Sequence, residues 1–132
     1  MATIRREFVL AVPAEAFWDA VRDVGAVHTR LAPGFVVDCH LNGEVRELTF
    51  ANGLEAIERI VSVDDAERRL AYAVASPRIE HYAASLQVLP DGEGCRVLWQ
   101  IDVLPHAAAG PVGQMADAGV AAMRQAVVGQ NG

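Results

Sequence analysis

Glu58 is the carboxylate in this sequence whose surroundings could give it unusual chemistry, because it lies in the largely apolar run LEAIERIVSV. An apolar environment raises the pKa of a carboxyl group by desolvation, and a neighbouring arginine lowers it again. Glu58 is therefore a candidate either for proton transfer or for one end of an ion pair. We favour the ion pair, because Glu55 and Arg59 place charge on the other face of the strand and a rim strand can solvate both faces.

The histidines offer a second source of proton chemistry. His28 precedes Arg30 and the turn LAPGF, so it could contact a ligand or pass a proton, although a surface or helix-capping role explains it equally well. The remaining histidines fall at predicted strand ends or in a loop: His40, His81 and His106. None has a carboxylate or a second histidine at metal-ligand spacing. We therefore predict no metal site and no cofactor.

The side chains that could act as nucleophiles are isolated. Cys39 and Cys95 form no CxxC motif and have no histidine pair nearby, so we expect reduced, buried thiols. Ser62, Ser76 and Ser85 lack the G-x-S-x-G turn that exposes the serine of many hydrolases. Hydrolysis by a catalytic triad is therefore not expected.

Composition and charge limit the classes of protein to consider. The 132 residues, 52% of them hydrophobic and 21% charged, predict one folded domain over residues 1–132. A net charge of −6 argues against nucleic acid as a partner, because phosphate binding needs clustered basic residues. No apolar run approaches the roughly 20 residues needed to span a bilayer, and the N-terminal run is too short for a signal peptide. We expect a cytoplasmic protein with no membrane span.

Apolar periodicity predicts the elements that must position these side chains. A period of two runs from Ile4 to Val12, and Pro13 suits the first position of a short amphipathic helix that Gly25 ends. A few residues of helix or loop follow in GAVHTRL. Six strands come next, separated by turns such as Asn42-Gly43: GFVVDCHL, EVRELTF, LEAIERIVSV, RRLAYAVAS, HYAASLQVL and CRVLWQIDVL. Helical spacing returns in GQMADAGVAAMRQAVVG.

This order of elements predicts an α+β fold. Seven strands joined largely by short turns make an antiparallel sheet, and a helix after the last strand must cover one apolar face of it. The predicted architecture is a curved seven-stranded antiparallel sheet around a long C-terminal helix, with two short helices after the first strand.

Several segments carry a family resemblance: PAEAFWDAVRDVGAV followed by LAPGF, GEVRELTFANG, ERIVSVDDAERRLAYAV, HYAASLQV and WQIDVLP. Through them almost the whole chain resembles the START-like or Bet v 1-like superfamily (SRPBCC), which includes polyketide cyclases, aromatases and abscisic-acid receptors. The resemblance implies a helix-grip fold with a mostly apolar cavity between sheet and helix. It implies less about function, because the superfamily hosts carriers, receptors and enzymes.

The resemblance also implies which side chains face the cavity. Glu58 matches an acidic cavity residue of the receptor-like branch, with Ala56, Ile60 and Ser62 on the same face. Arg46 is the basic residue of GEVREL, and it either reaches the cavity or braces a neighbouring strand. The other implied wall positions are Tyr82, Ala84, Trp99, Met115, Gly119 and Met123.

Aromatic and methionine side chains could line such a cavity or fill it. Tyr72 joins Tyr82, Trp99, Met115 and Met123 in this group, and methionine would give an adaptable apolar wall. Dense core packing is the more common role of such residues in a small domain. The sequence therefore leaves open whether the space is empty.

Three functions fit these expectations. The first is binding or carriage of a small hydrophobic or aromatic molecule, with Glu58, Arg46 or His28 as polar anchors. The second is a polyketide cyclase, aromatase or dehydratase-like enzyme in which Glu58, Tyr82 or His28 moves protons. The third is an interaction protein whose cavity is filled and which forms a homodimer through a sheet edge or the last helix. We place ligand binding first.

Overall fold

The computed structural model describes residues 2–131, with side chains through residue 128. Its elements confirm the predicted α+β fold. In chain order they are β1 (Ala2–Leu10), α1 (Ala14–Arg22), a helical turn (Val27–Leu31), β2 (Val36–Asn42), β3 (Val45–Phe50), β4 (Glu55–Asp64), β5 (Arg69–Ala75), β6 (His81–Asp91), β7 (Gly94–Leu104), a short turn of 3-10 helix (His106–Ala108) and α2 (Ala109–Asn131).

The seven strands form one antiparallel sheet in the order β1-β7-β6-β5-β4-β3-β2. The first strand therefore pairs with the last, and the other strands follow one another as a meander. Two irregularities interrupt the ladders, one between Val36 and Asp38 and one between Ile60 and Ser62. Such bulges bend the strands that carry them, which helps the sheet curve around the helix.

The core lies between the concave face of the sheet and α2. Strand β7 shows the alternation most clearly, because Cys95, Val97, Trp99, Ile101 and Val103 are buried while their neighbours are more exposed. From α2, four side chains on one face join the same core: Val112, Ala116, Met123 and Val127. No helix in residues 2–131 is long and apolar enough to cross a membrane.

The first helix differs slightly from the sequence expectation. Pro13 caps α1 from outside, with an extended ψ of 148°, instead of occupying its first helical position. The helix ends at Arg22, where the backbone leaves helical geometry at Asp23, and does not continue to Gly25. The chain then makes a wide helical turn in which the Ala32 amide donates to the Val27 carbonyl, five residues back. This turn directs Val27 and Leu31 inward.

Ser62 does not share the inward face of β4 as expected. The ladder between β4 and β5 is irregular between Ile60 and Ser62, so the simple alternation that starts at Ala56 stops there. Ser62 is exposed, whereas Ile60 still packs against the core. A bulge adds one residue to one strand and therefore changes the face on which later residues lie.

Candidate functional site

A cavity of about 760 Å³ lies between the sheet and α2. The structure thus leaves open the space that the third hypothesis required to be filled. Its walls come from the helical turn, strands β2–β7 and α2. The apolar side chains that line it include Val27, Leu31, Phe35, Val36, Leu48, Phe50, Leu70, Val74, Ile79, Leu86, Ile101, Val112 and Ala116.

One end of the cavity is bordered by loops. The β3–β4 loop contributes Leu54, the β5–β6 loop contributes residues 76–79, the connection from β7 to α2 contributes Pro105, and the first turn of α2 contributes Pro111. Leu54 is 53% exposed although it lines the cavity, so this end meets solvent. The β3–β4 loop also touches α2, because the Asn52 amide lies 3.6 Å from the sulfur of Met115. We call this loop-bordered end the mouth.

Arg46 and Glu58 form an ion pair in the cavity wall. They are directly opposite each other in the ladder between β3 and β4. The Arg46 Nε and Nη2 atoms each lie 2.8 Å from Glu58 Oε1, and the residues are only 3% and 5% exposed. Arg46 Nη1 also donates to the Val24 carbonyl at 3.2 Å, and the guanidinium lies 5.2 Å from the centre of the Tyr72 ring. Arg46 therefore both reaches the cavity and braces the chain after α1.

The expected ion pair is present, but its place in the sheet differs from the rim position that we inferred. Strand β4 lies between β3 and β5, and Glu58 is buried on its inward face although Glu55 and Arg59 are exposed. Burial raises the pKa of the Glu58 carboxyl above its ordinary value, while the charge and hydrogen bonds of Arg46 oppose that rise. The rim position was wrong because the charges at Glu55 and Arg59 do not report on Glu58: alternate residues of one strand occupy different environments.

The sheet contacts α2 through Trp99, which lies between Tyr72 and Gly119. The Trp99 Nε1 atom donates a hydrogen bond to Tyr72 Oη at 3.1 Å. On its other side the indole packs against α2 so closely that a Cβ at Gly119 would lie 3.0 Å from two of its ring carbons. Gly119 is thus the position on α2 that allows Trp99 to cross from β7 to the helix. Beyond Trp99 along β7, Val97 is fully buried and lies outside the cavity lining.

Two tyrosine hydroxyl groups belong to the cavity wall. The Tyr72 and Tyr82 rings lie 6.5 Å apart, and both residues line the cavity. Burial raises the pKa of each phenol well above its ordinary value, and the carboxylate of Glu58 adds to the rise. Both groups therefore stay protonated at neutral pH and act as neutral hydrogen-bonding groups.

The sequence singled out thirteen residues for the cavity, and nine of them line it: Arg46, Ala56, Glu58, Tyr72, Tyr82, Trp99, Met115, Gly119 and Met123. Ile60 and Ser62 lie outside the lining. Ala84 is buried on the same face but lies outside the lining, because its methyl group is short beside its cross-strand partners Tyr72 and Ile101. His28 also lies outside the lining. It belongs to the wide turn whose inward positions are Val27 and Leu31, and its Nδ1 is buried without a partner among the described residues.

Some residues that line the cavity were not predicted from the sequence. Phe50 continues the inward alternation of Arg46 and Leu48 along β3, so its role could have been read from the pattern. Phe35 packs against it with a ring separation of 5.1 Å, and Ile79 comes from the β5–β6 loop. Phe35 and Ile79 lie outside the regular strands, where alternation gives no signal.

The described residues do not form a cluster of metal ligands. Within the residues that the structure describes, no group of three or more His, Cys, Asp or Glu side chains is arranged to hold one. Away from the mouth, the polar groups of the cavity wall are one ion pair, two phenols and one indole. These groups can orient a bound molecule or exchange protons with it.

A family model described as polyketide cyclase / dehydrase and lipid transport matches residues 1–130. The chain belongs to this family. The match supports the polyketide-cyclase part of the resemblance seen in the sequence, and solved structures share the helix-grip fold. A search of the curated proteins returned no match.

Solved structures agree on the fold. A solution structure from Thermobifida fusca is 32% identical, with a TM-score of 0.77 over 96% of this chain and 91% of that one. The protein XoxI from Bacillus cereus is 22% identical, with a TM-score of 0.87 over 100% and 99% of the two chains. A norcoclaurine synthase point mutant from Thalictrum flavum, in complex with a transition-state analogue, is 22% identical, with a TM-score of 0.67 over 99% and 96%. At 22% identity, XoxI and the norcoclaurine synthase show that the fold is shared, and nothing about function.

Proposed function

We propose that this protein binds a small hydrophobic or aromatic molecule in the cavity between the sheet and α2. The observation that carries the proposal is a largely apolar cavity of about 760 Å³ in a chain of 132 residues. Protein interiors are packed as densely as organic crystals and contain few voids larger than a water molecule. A space this large, apolar and bordered by loops at one end has the size and character of a ligand site.

Family membership supports the same proposal. The family description joins polyketide cyclases and dehydrases with lipid transport. Each of these activities requires an organic molecule to be held by the protein, and a lipid is largely apolar. The methionines Met115 and Met123 suit this purpose, because their flexible thioethers adapt to irregular apolar shapes.

The test uses two substitutions that add the same bulk to opposite faces of the sheet. Ala56 on β4 lines the cavity, whereas Ala75 on β5 is exposed and lies outside the lining. Native mass spectrometry of gently purified protein, followed by a thermal-shift screen of aromatic and polyketide-like compounds, identifies ligands. We expect compounds that stabilise the wild type to stabilise Ala75→Phe equally and to lose their effect on Ala56→Phe.

Two results would contradict ligand binding in the cavity. One is a screen in which no compound stabilises the wild type and no molecule co-purifies. The other is a set of compounds that stabilises Ala56→Phe as strongly as Ala75→Phe, which would place their binding site elsewhere.

We propose cyclase- or dehydratase-like turnover as the second candidate, because Glu58 and the Tyr82 phenol face the same cavity. Removing water from a polyketide-like chain needs groups that take up and return protons. Chromatography coupled to mass spectrometry of a poly-β-ketone incubated with the protein would detect loss of water as a lower mass, and ring closure without loss of water as a new isomer of unchanged mass. We expect Glu58→Gln and Tyr82→Phe to abolish such turnover; binding that yields neither a dehydrated product nor a new isomer supports the carrier role instead.

A further inference from the structure

We propose that the cavity selects a ligand whose buried end carries an uncharged hydrogen-bond donor, such as a phenol or alcohol hydroxyl, and disfavours a carboxylate at that end. The inference rests on the proposed ligand binding and concerns the chemistry of the ligand. It follows from which hydrogen-bonding groups of Arg46 and Glu58 are used within the protein and which are left for a ligand.

The two carboxylate oxygens of Glu58 have different partners. Oε1 lies 2.8 Å from both Nε and Nη2 of Arg46. Oε2 has no hydrogen-bond partner among the described residues. Among these residues, the one side-chain nitrogen or oxygen that is both fully enclosed and unpartnered is His28 Nδ1. Oε2 is therefore not fully enclosed. Because Glu58 lines the cavity, Oε2 is the acceptor that the wall offers to a ligand. When Glu58 is ionised, its carboxylate accepts hydrogen bonds and donates none, so it favours a donor.

Arg46 already uses three of its five N–H groups within the protein. The edge of the guanidinium formed by Nε and Nη2 is occupied by Glu58, and Nη1 donates to the Val24 carbonyl. A ligand carboxylate normally binds arginine through two parallel hydrogen bonds along one edge, and Glu58 occupies the Nε–Nη2 edge, leaving only the Nη1–Nη2 edge, where Nη1 already donates to the Val24 carbonyl. One face of the guanidinium lies against the Tyr72 ring.

The charge balance of the wall points the same way. Arg46 and Glu58 are the buried charged residues of the described chain, and together they are neutral. The other charged lining residues, Glu55 and Arg78, are exposed at the mouth. A carboxylate brought to the buried pair would therefore lose its hydration without gaining a counter-charge, and it would face Glu58 Oε2.

Three naphthalene probes of similar size separate these effects. 2-Naphthol carries a donor, 2-methoxynaphthalene replaces it with a methyl ether, and 2-naphthoate carries a charge. Calorimetric titration in mildly alkaline buffer keeps the naphthol protonated and the naphthoate ionised. We expect the wild type to bind 2-naphthol about tenfold more tightly than the ether, the effect of one hydrogen bond to a charged group, and to bind 2-naphthoate most weakly.

Variants tie the preference to the ion pair. Glu58→Gln leaves Arg46 uncompensated, so we expect it to bind 2-naphthoate more tightly than the wild type does. The double variant Arg46→Met with Glu58→Leu replaces the pair by apolar side chains, a change that folded proteins commonly tolerate. There we expect the ether to bind at least as tightly as 2-naphthol.

The wild-type series decides the inference even if a variant fails to fold. Equal affinities for 2-naphthol and the ether, or tighter binding of 2-naphthoate, overturn the donor preference while leaving ligand binding intact. Failure of all three probes and of the wider compound screen removes the proposed function, and this inference falls with it.

Discussion

The Arg46–Glu58 pair shows how two residues that are charged can sit in an apolar wall. Each would be costly to bury alone, and their mutual hydrogen bonds offset that cost. The inward side chains of β3 and β4 meet because the register places Arg46 directly opposite Glu58. A sequence shows that both residues are charged, but it does not show that the ladder pairs them.

The pH dependence of stability should carry the signature of Glu58. Burial raises the pKa of its carboxyl in the folded protein above the ordinary 4.5, so the folded state holds a proton that the unfolded state has released. The contribution of Glu58 to the free energy of unfolding should therefore fall as pH rises from 4.5 through the folded-state pKa, and stay constant above it. Urea unfolding of the wild type and Glu58→Gln over this pH range measures the difference.

The matched control for this experiment is Glu47→Gln. Glu47 lies next to Arg46 on β3, but its side chain is exposed. Its replacement should not change the pH dependence in this way. A wild-type minus Glu58→Gln difference that is flat across the range, or that rises with pH, would show that burial does not raise the Glu58 pKa.

At the scale of elements, α2 approaches the sheet through a glycine. Gly119 faces Trp99 on β7 and Phe35 near β2, and an added Cβ would lie 3.0 Å and 3.3 Å from their nearest ring carbons. Gly110 in the first turn of the same helix has no such neighbour within 4 Å. Comparing alanine substitutions at these two glycines therefore distinguishes the effect of helix propensity from the effect of steric contact with the cavity wall.

We expect opposite outcomes from the two alanine substitutions. Gly110→Ala should leave the free energy of unfolding unchanged or raise it by up to about 1 kcal/mol, because alanine favours helix. Gly119→Ala should lower it by about 1–3 kcal/mol relative to Gly110→Ala, because the Trp99 ring must move toward the cavity. It should also weaken binding of 2-naphthol. Urea unfolding and calorimetry check both, and equal stability of the two variants would mean that Trp99 moves aside without cost.

The elements themselves were largely predictable from the sequence. Strand boundaries followed from alternation and from turns such as Asn42-Gly43 and Asn52-Gly53, whose glycines adopt φ of 64° and 88°. The position of Ser62 was wrong because a bulge depends on how neighbouring strands pair, which alternation within one strand does not reveal. His28 lies outside the lining because the wide turn after α1 directs Val27 and Leu31 inward instead.

At the scale of the whole molecule, the cavity is part of the core. Its lining joins strands β2–β7, the helical turn and α2, and Leu70, Leu86 and Ile101 belong to both the lining and the buried core. Residue types could predict this apolar wall, but not that the wall encloses empty space. Volume depends on how far sheet and helix stand apart, and that distance is set by contacts such as Trp99 against Gly119.

This continuity predicts that a bound ligand stabilises the entire fold. A ligand that binds only the folded state adds about 2.7 kcal/mol at a free concentration one hundred times its dissociation constant. Because the cavity walls are core elements, we expect native-state hydrogen exchange with saturating 2-naphthol to slow the most protected amides of β6 and β7 by the factor that its affinity predicts. Ala56→Phe should show no such slowing. Protection confined to the mouth loops, with β6 and β7 unchanged, would mean that the probe binds at the surface and that the cavity does not hold it.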